Sequence, residues 1–283
     1  MRSNKSAVDG EKRAKLAIKM NTLAAKDVMV AFSGGVDSAL VLKLAVDAAG
    51  ARGTNVYAVT FDLPMTDDEE TRFARESVGD IGGIHQIVKI DMIDAADIRD
   101  NPPDRCYRCK RYLFSGLKAM AKNYGITTIL DGTNADDLTA YRPGKEALEE
   151  LGIVSPLALA GLSKAEVRIM AAEMGLAAHD RPSAPCLATR FPYGTRLSPD
   201  RLMRAARAEG QLKAMGFHTV RVRVHDGLAR LEVPVSDFEK VLAEREAVIE
   251  TLHDIGYAQI TIDLEGFRSG SFDGAPEEYG QYR

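Results

Sequence analysis

The chain has 283 residues, of which 45% are apolar. This length is too great for a single small hydrophobic core and suits one large domain with a smaller one. Its 37 basic and 41 acidic residues give a net charge of −4, so the surface as a whole does not attract a polyanion and we do not expect a nucleic-acid partner. The sequence contains no apolar run of the roughly twenty residues that a membrane span needs, and the first twenty residues lack the apolar core of a secretory signal. We therefore expect a cytoplasmic protein with no membrane partner.

Short apolar segments alternate with helical patterns over the first 176 residues. The strands are predicted at 28–32, 56–61, 85–90 and 127–132, and the helices at 12–25, 38–49, 67–79, 110–123, 144–151 and 164–174. This alternation is typical of a parallel twisted sheet with helices on both faces, so the fold class is α/β. Ser163 and Glu166 have the spacing of a capping box at the start of the last helix.

The pattern changes after Gly175, where four prolines fall within "AAHDRPSAPCLATRFPYGTRLSP". We predict a domain at 1–176, a connecting loop at 177–198, a small α+β domain at 199–268 and a flexible tail at 269–283. The small domain is predicted to contain helices at 199–214 and 237–252 and strands at 219–225, 228–234 and 259–264. Asp226–Gly227 is a hairpin signal, and Ser236 with Glu239 predicts a second capping box.

A glycine-containing loop, "SGGVDS" at 33–38, joins the first strand to the next helix. In an open parallel sheet, ligands bind at the carboxyl ends of the strands, and glycines let main-chain amides turn toward phosphate oxygens. Ser33, Gly34, Gly35 and Ser38 are therefore predicted to bind a phosphate, with Asp37 capping the helix or holding Mg²⁺. The loop is neither a Walker A motif nor G-x-G-x-x-G. The alternative is an ordinary strand-to-helix turn in which Asp37 is only a cap.

Polar side chains also follow the fourth strand, in "DGTNADD". Because this strand ends at the same edge of the sheet as the glycine loop, Asp131, Thr133 and Asn134 are predicted to contact nucleotide or metal. Some members of this cluster are expected to serve only as turn caps.

Three cysteines suggest metal or redox chemistry in a chain without an export signal. Cys106 and Cys109 form a C-x-x-C ahead of the helix predicted at 110–123, and Cys186 follows 77 residues after Cys109. Three thiolates can hold three irons of a [4Fe-4S] cluster and leave the fourth open. Two alternatives remain at this point: a zinc site of the three cysteines with His179, and a redox or persulfide pair with Cys186 as a buried side chain.

The loop "SGGVDSAL" resembles the pyrophosphate loop of the ATP pyrophosphatases, the PP-loop proteins. Taken with "VTFDLPM", "PPDRCYRCK", "DGTNADD", "YRPG", "SPLALAGLSKAEVR" and "CLATRFPYG", the chain resembles the LarE-type sulfur transferases of nickel-pincer nucleotide biosynthesis over roughly residues 12–265. The resemblance implies an enzyme that adenylates the carboxylates of pyridinium-3,5-biscarboxylic acid mononucleotide with ATP and Mg²⁺ and converts them to thiocarboxylates. It also implies that Asp62 contacts the nucleotide, that the three cysteines hold a [4Fe-4S] cluster fed by sulfide or another sulfur donor, and that the protein forms a homo-oligomer.

Arginines are predicted to recognise the anionic substrate. Arg221 and Arg223 are two residues apart on a predicted strand and so share a face, which suits a phosphate or a carboxylate. Arg190 and Arg196 near Cys186 add charge, and the resemblance suggests Glu209 and Glu239 as metal or substrate contacts. The alternative for the strand pair is a solvated face.

Other functions compete with sulfur transfer to a mononucleotide. A PP-loop tRNA 2-thiolation enzyme shares the loop and the three cysteines but needs a basic surface. An ammonia-using ligase similar to NAD or GMP synthetase leaves the cysteines without a role, and a non-catalytic nucleotide-binding module explains the glycine loop alone.

Overall fold

The computed structural model describes residues 8–66, 68–139, 144–181 and 185–268. The predicted flexible tail at 269–283 and residues 141–143 of "YRPG" lie outside this set, as does residue 67 at the predicted start of a helix. No helix in the described ranges is long and apolar enough to cross a membrane.

Two compact units divide the chain, and the described parts of Met1–Ala96 and Asp104–Ala184 form the first. Its strands are β1 (Val28–Ala31), β2 (Val56–Asp62), β3 (Ile84–Lys89) and β4 (Thr128–Leu130). Its helices are α1 (Gly10–Leu23), α2 (Val36–Gly50), α3 (Asp68–Ile81), α4 (Arg105–Asn123), α5 (Asp136–Thr139), α6 (Gly144–Glu150), α7 (Pro156–Leu159) and α8 (Lys164–Glu173).

The four strands form one parallel sheet in the order β3-β2-β1-β4, flanked by helices, which confirms the predicted α/β class. The chain passes from β1 outward to β2 and β3 and then returns to the other side of β1 as β4. This reversal makes a topological switch point between β1 and β4, where a crevice opens beyond the carboxyl ends of the strands. The fold therefore places a ligand-sized opening where the glycine loop leaves β1.

Buried apolar residues explain why these segments form a sheet with helices packed against it. Val28, Met29 and Val30 of β1 are fully buried, as expected for a central parallel strand covered on both faces. The capping box predicted for α8 is confirmed, because Ser163 Oγ accepts the amide N–H of Glu166 and the Glu166 carboxylate accepts the amide N–H of Ser163.

The second unit comprises the described parts of Asp97–Pro103 and Pro185–Arg283. Its helices are a short 3-10 helix (Leu187–Arg190), α9 (Pro199–Ala214), a second 3-10 turn (Val235–Asp237), α10 (Phe238–Ala243) and α11 (Arg245–Asp254), and its strands are β5 (Arg221–His225), β6 (Leu228–Glu232) and β7 (Gln259–Ile262). β5 and β6 form the predicted hairpin, with Asp226 at φ 53° in its turn, and β7 joins β6 in parallel.

Residues 97–103 interrupt the first unit in sequence, but they pack with the second. Asn101 is fully buried, and its Nδ2 donates to the carbonyl oxygens of Phe191 at 3.0 Å and Pro192 at 2.9 Å. The contact division therefore differs from the predicted boundary at residue 176. It assigns Asp97–Pro103 to the second unit, and the first unit extends to Ala184.

Two predicted elements differ from the structure. α4 begins at Arg105 instead of 110, so the C-x-x-C lies in its first turn rather than ahead of it. The predicted helix 237–252 is two helices, and the second capping box is wrong: Ser236 sits in a 3-10 turn, its hydroxyl donates to Asp237 Oδ1, and Asp237 is the N-cap of α10. The 3-10 turn moves Ser236 out of capping position.

Candidate active site

A cavity of about 360 Å³ opens at the carboxyl ends of β1 and β2. Five of the nine predicted nucleotide contacts line it, namely Ser33, Asp37, Ser38, Asp131 and Thr133. The remaining wall contains Ala31, Phe32, Thr60, Phe61, Leu63, Thr66, Glu70, Thr71, Lys110, Phe114, Gly132 and Asp137. The structure thus brings the glycine loop and the segment after β4 to one cavity at the switch point.

The glycine loop is held compactly by its own serines. Gly34 has φ 78°, a left-handed conformation that favours glycine, and a Cβ there would lie 3.3 Å from Ala74 Cβ on α3. The Ser33 and Ser38 hydroxyls are 3.2 Å apart, and Ser38 Oγ donates to the Gly35 carbonyl oxygen at 3.0 Å. Gly35 is the N-cap of α2, and no described side chain caps this helix. The first amides of α2 are therefore suited to an anion.

Asp37 does not cap α2, which corrects one of the two roles predicted for it. It lies in the first turn, where Oδ1 accepts from Asn134 Nδ2 at 3.1 Å and Oδ2 forms an ion pair with Lys164 Nζ. Lys164 is the first residue of α8, and its amide donates to Asp136 Oδ2 at 2.9 Å. Two other segments, the turn that contains Asn134 and the start of α8, therefore fix the carboxylate that was predicted to hold Mg²⁺.

The residues after β4 are ordered by their own hydrogen bonds. Asp131 is buried and accepts from Thr133 Oγ1 and from Ser155 Oγ, each at 2.5 Å. Asn134 Oδ1 accepts the amides of Asp136 at 2.9 Å and Asp137 at 3.2 Å, so Asn134 acts as the turn cap that starts α5. Asn134 does not line the cavity itself but positions Asp37 through its amide.

Asp62 stands apart from the cavity wall. It ends β2, and its carbonyl oxygen accepts the amide of Ile90 at 3.0 Å. Its predicted nucleotide contact remains a prediction.

Sequence reasoning missed three residues of this site. A Cβ on Gly132 would lie 2.8 Å from the Ser38 nitrogen, so only glycine lets the end of β4 approach the start of α2 this closely. Lys164 and Lys110 bring positive charge to the loop and the cavity. Gly132 stood within the quoted "DGTNADD" and Lys164 within "SKAEVR", but only the tertiary contacts give them roles.

Thr60 lines the cavity wall, and its hydroxyl forms a hydrogen bond with His85 of β3. His85 Nε2 lies 2.9 Å from Thr60 Oγ1, and its ring meets the Phe32 ring edge-on with centroids 6.3 Å apart. Burial, followed by the positive charge of Arg75, lowers the pKa of His85. The imidazole is therefore neutral at pH 7 and adds no charge behind this wall.

The C-x-x-C occupies the first turn of α4, with Cys106 exposed and Cys109 partly buried. Residues three apart on a helix share a face, so the two thiols can reach one ligand. Cys109 Sγ lies 3.9 Å from Met92 Sδ. In the other unit, Cys186 is exposed and is the N-cap of the 3-10 helix Leu187–Arg190.

A metal centre is not formed by side chains in the described ranges, which contain no group of three His, Cys, Asp or Glu arranged to hold an ion. His179, the alternative zinc ligand, has Nδ1 3.0 Å from the Leu176 carbonyl oxygen. The donor chemistry and shared face of Cys106 and Cys109 fit two corners of an iron–sulfur cluster.

The arginines of the second unit are paired with buried carboxylates. Arg190 is bidentate to Glu209, with Nε–Oε1 at 2.8 Å and Nη2–Oε2 at 2.7 Å, and Arg223 Nε donates to Glu232 Oε2 at 2.9 Å. Burial, followed by the charge of Arg190, lowers the pKa of Arg221, which lies 3.9 Å from Glu209. The side chains of Arg221 and Arg223 are therefore largely buried beside carboxylates, and they do not form a solvent-exposed strand face.

Arg196 and Glu239 are both exposed, and Arg196 offers its carbonyl oxygen to Arg201 Nη1 at 2.9 Å. Nothing in the described contacts connects either side chain to a ligand set. The substrate role of the arginines, and the metal or substrate roles of Glu209 and Glu239, remain predictions.

Comparison with known proteins identifies relatives across nearly the whole chain. The asparagine synthase family model matches residues 12–245. The pyridinium-3,5-bisthiocarboxylic acid mononucleotide synthase of Lactiplantibacillus plantarum is 39% identical over 262 residues, covering 91% of this chain and 94% of that protein. The uncharacterized protein slr1717 of Synechocystis is 38% identical over 247 residues, covering 87% and 91%. The tRNA-specific 2-thiouridylase MnmA of Frankia casuarinae is 32% identical over 190 residues, covering only 56% and 53%.

Proposed function

Because the chain belongs to the asparagine synthase family of PP-loop proteins and, within it, to the LarE-type sulfur transferases, we propose that it converts the carboxylates of pyridinium-3,5-biscarboxylic acid mononucleotide to thiocarboxylates. The chain is an ATP-using enzyme of the sulfur-transferase class. The mononucleotide substrate and the route of the sulfur are the proposed parts.

One observation carries the proposal: a residue of the nucleotide cavity wall and the two thiols of the C-x-x-C lie on the same helix, α4. Lys110 of α4 lines the nucleotide cavity, and it directly follows Cys109 in the first turn. An ammonia-using ligase gives these thiols no task. A 2-thiolation enzyme for tRNA would use them, but its matched relative aligns with only 56% of this chain, and the net charge is −4.

The first step is adenylation. A substrate carboxylate oxygen attacks the α-phosphorus of ATP, the bond between the α-phosphorus and the bridging oxygen breaks, and pyrophosphate leaves. The amides at the start of α2 and the hydroxyls of Ser33 and Ser38 are proposed to bind the phosphates, which the uncapped start of α2 supports. Lys110 adds a charge at the cavity wall, where negative charge develops on the departing pyrophosphate.

Magnesium would accompany the ATP. Asp37 is the carboxylate proposed to hold it, and the ion pair with Lys164 would then yield to the cation. Lys164 and Asn134 hold the Asp37 carboxylate at the loop.

In the second step, sulfide attacks the carbonyl carbon of the acyl adenylate, the bond between that carbon and the AMP oxygen breaks, and AMP leaves as the thiocarboxylate forms. Adenylation is needed because a carboxylate is a poor electrophile until a good leaving group is attached. We propose Cys106, Cys109 and Cys186 as the ligands of a [4Fe-4S] cluster. When bound, such a cluster supplies sulfur at the iron that the three thiolates leave open.

The test is anaerobic purification followed by iron and acid-labile sulfide analysis, with pyrophosphate release and product mass measured on ATP and the dicarboxylate mononucleotide. Replacing Cys106, Cys109 or Cys186 singly by Ala should leave pyrophosphate release intact and stop thiocarboxylate formation. Thiocarboxylate formation in all three variants would contradict the cluster. ADP as the nucleotide product would contradict adenylation.

A further inference from the structure

A guanidinium outside the predicted site reaches the wall of the nucleotide cavity. Arg181 Nη2 pairs with Glu70 Oε1 at 3.0 Å, and Glu70 lines the cavity. The Arg181 guanidinium lies over the Phe73 ring, with its Cζ 3.9 Å from the ring centroid, and the side chain is only 20% exposed. This arginine is therefore held beside α3 by an ion pair and a cation–π contact rather than extended into solvent.

Two buried polar atoms at this position lack a hydrogen-bond partner in the described part of the chain. They are Arg181 Nη1 and the hydroxyl oxygen of Thr71, which also lines the cavity. A buried donor without a partner is costly, and native structures rarely leave one without a reason such as a ligand. Thr71 lies on α3, and Arg181 pairs with Glu70, the residue before Thr71 on that helix. These two atoms therefore point to a bound group with several acceptor oxygens.

The same helix contacts the glycine loop. Ala74 is the residue against which Gly34 packs, 3.3 Å from the position of a Gly34 Cβ. Glu70 and Thr71 precede Ala74 by four and three residues, so they lie one turn away on the same side of α3. Thr71 and the partner of Arg181 are therefore placed within one helical turn of the loop that binds phosphate.

The main chain that carries Arg181 is fixed. Arg168 of α8 donates from Nη1 to the His179 carbonyl oxygen at 2.6 Å and from Nη2 to the Arg181 carbonyl oxygen at 2.9 Å. The guanidinium of Arg181 thus starts from a positioned backbone, which lowers the entropy lost when it grips a ligand.

We propose that Arg181 and Thr71 form the second half of the pyrophosphate subsite and bind the β- and γ-phosphates of ATP. The planar, positively charged guanidinium of Arg181 donates hydrogen bonds to the negatively charged phosphate oxygens. The Glu70 carboxylate competes with phosphate for Arg181, because it forms an ion pair with the same guanidinium. This inference rests on the proposed function in one respect, namely that ATP is cleaved to AMP and pyrophosphate.

Titration calorimetry of the full chain with inorganic pyrophosphate and, separately, with AMP tests the assignment. Arg181→Met and Thr71→Val should each weaken pyrophosphate binding, the first by at least tenfold, and leave AMP binding within twofold, because AMP lacks the β- and γ-phosphates. Arg72→Met is the matched control, since it removes an exposed guanidinium next to Thr71 on the same helix, and it should change neither affinity.

Glu70→Gln gives a prediction of opposite sign, because removing the competing charge should tighten pyrophosphate binding. Retained AMP binding shows that a variant is folded, and Arg181→Lys, which keeps the charge without the fork, should fall between wild type and Arg181→Met. Wild-type pyrophosphate affinity in Arg181→Met, or an equal loss of AMP and pyrophosphate binding in that variant, would overturn the assignment. None of these measurements requires turnover, so a failure of sulfur transfer to the mononucleotide would leave them interpretable.

Discussion

Replacing Gly132 by Ala should damage both the fold and the nucleotide site. The added Cβ would lie 2.8 Å from the Ser38 nitrogen and 3.1 Å from the Asp37 carbonyl carbon and Cβ. Ordinary contact begins at 3.4 Å, so the shortfall to Ser38 is 3.4 − 2.8 = 0.6 Å. Two of these three atoms belong to the backbone of the first turn of α2 and the third is a Cβ bonded directly to it, so they cannot move aside as the end of a flexible side chain can.

The size of the effect follows from overpacking and from displacement of the loop. Forcing one extra carbon into a packed position costs about 1–3 kcal/mol. Moving the first turn of α2 by over half an ångström also displaces the amides that we propose to bind the phosphates, and a misplacement of this order can lower turnover by about ten- to a hundredfold. We expect Gly132→Ala to lose stability in urea unfolding and to slow pyrophosphate release by at least tenfold.

Gly116→Ala is the control for this substitution. Gly116 lies inside α4, and a Cβ there meets nothing within 4 Å. It should stabilise the helix by about 0.5–1 kcal/mol, because alanine loses less backbone entropy than glycine. If Gly132→Ala matched the wild type in unfolding and in pyrophosphate release, the close approach of β4 to α2 would not be a constraint on the site.

Three further substitutions test other parts of the structure. Arg190→Met should destabilise the protein by about 3–5 kcal/mol in urea unfolding, because it leaves the buried Glu209 carboxylate without its bidentate partner; a loss below 1 kcal/mol would contradict a structural role. Lys164→Met should change stability by less than about 1 kcal/mol, because its ion pair with Asp37 is partly exposed. The same substitution should reduce pyrophosphate release at least tenfold, because Lys164 positions the Asp37 carboxylate, and unchanged release would disprove this positioning role. Burial raises the pKa of Tyr257 to about 12, so the stability held by the neutral phenol is present below pH 10 and lost as the pH rises from about 10 to 12. Tyr257→Phe should flatten that loss in unfolding measured from pH 9 to 12, and an unchanged slope would assign it to other groups.

Local sequence pattern predicted the first unit well because its central strands are buried on both faces. Such strands read as continuous apolar runs, as in 28–32 and 56–61, and β1 and β2 occupy nearly those ranges. The pattern did not show that residues 97–103 pack with the second unit, since Asn101 reaches its partners Phe191 and Pro192 across about 90 residues of sequence. Contacts at that separation leave no local periodicity.

The same limit separates the site residues that were predicted from those that were missed. The Ser33–Ser38 loop has a local signature because its chemistry is built from consecutive amides. Lys164 lies 127 residues from Asp37, and only the fold brings them together. The spacing of Arg221 and Arg223 indicated a shared face, but it did not show that Glu232 pairs with Arg223 or that Glu209 pairs with Arg190.

The position of α4 determines how the two half-reactions can be separated by mutation. Lys110 lines the nucleotide cavity, whereas Cys106 and Cys109, which precede it on α4, are not among the described residues of its wall. A thiol can therefore be removed without altering the wall of the cavity proposed to bind ATP, and Lys110 can be altered without removing a thiol. A Cβ added to Gly144 would lie 2.8 Å from Lys110 Cδ and 3.2 Å from the Cys106 carbonyl oxygen, so the start of α6 packs closely against this part of α4. We therefore expect cysteine variants to lose sulfur delivery but keep adenylation, and Lys110 variants to lose adenylation but keep the thiols. The two reactions would then depend on different residues near the start of the same helix.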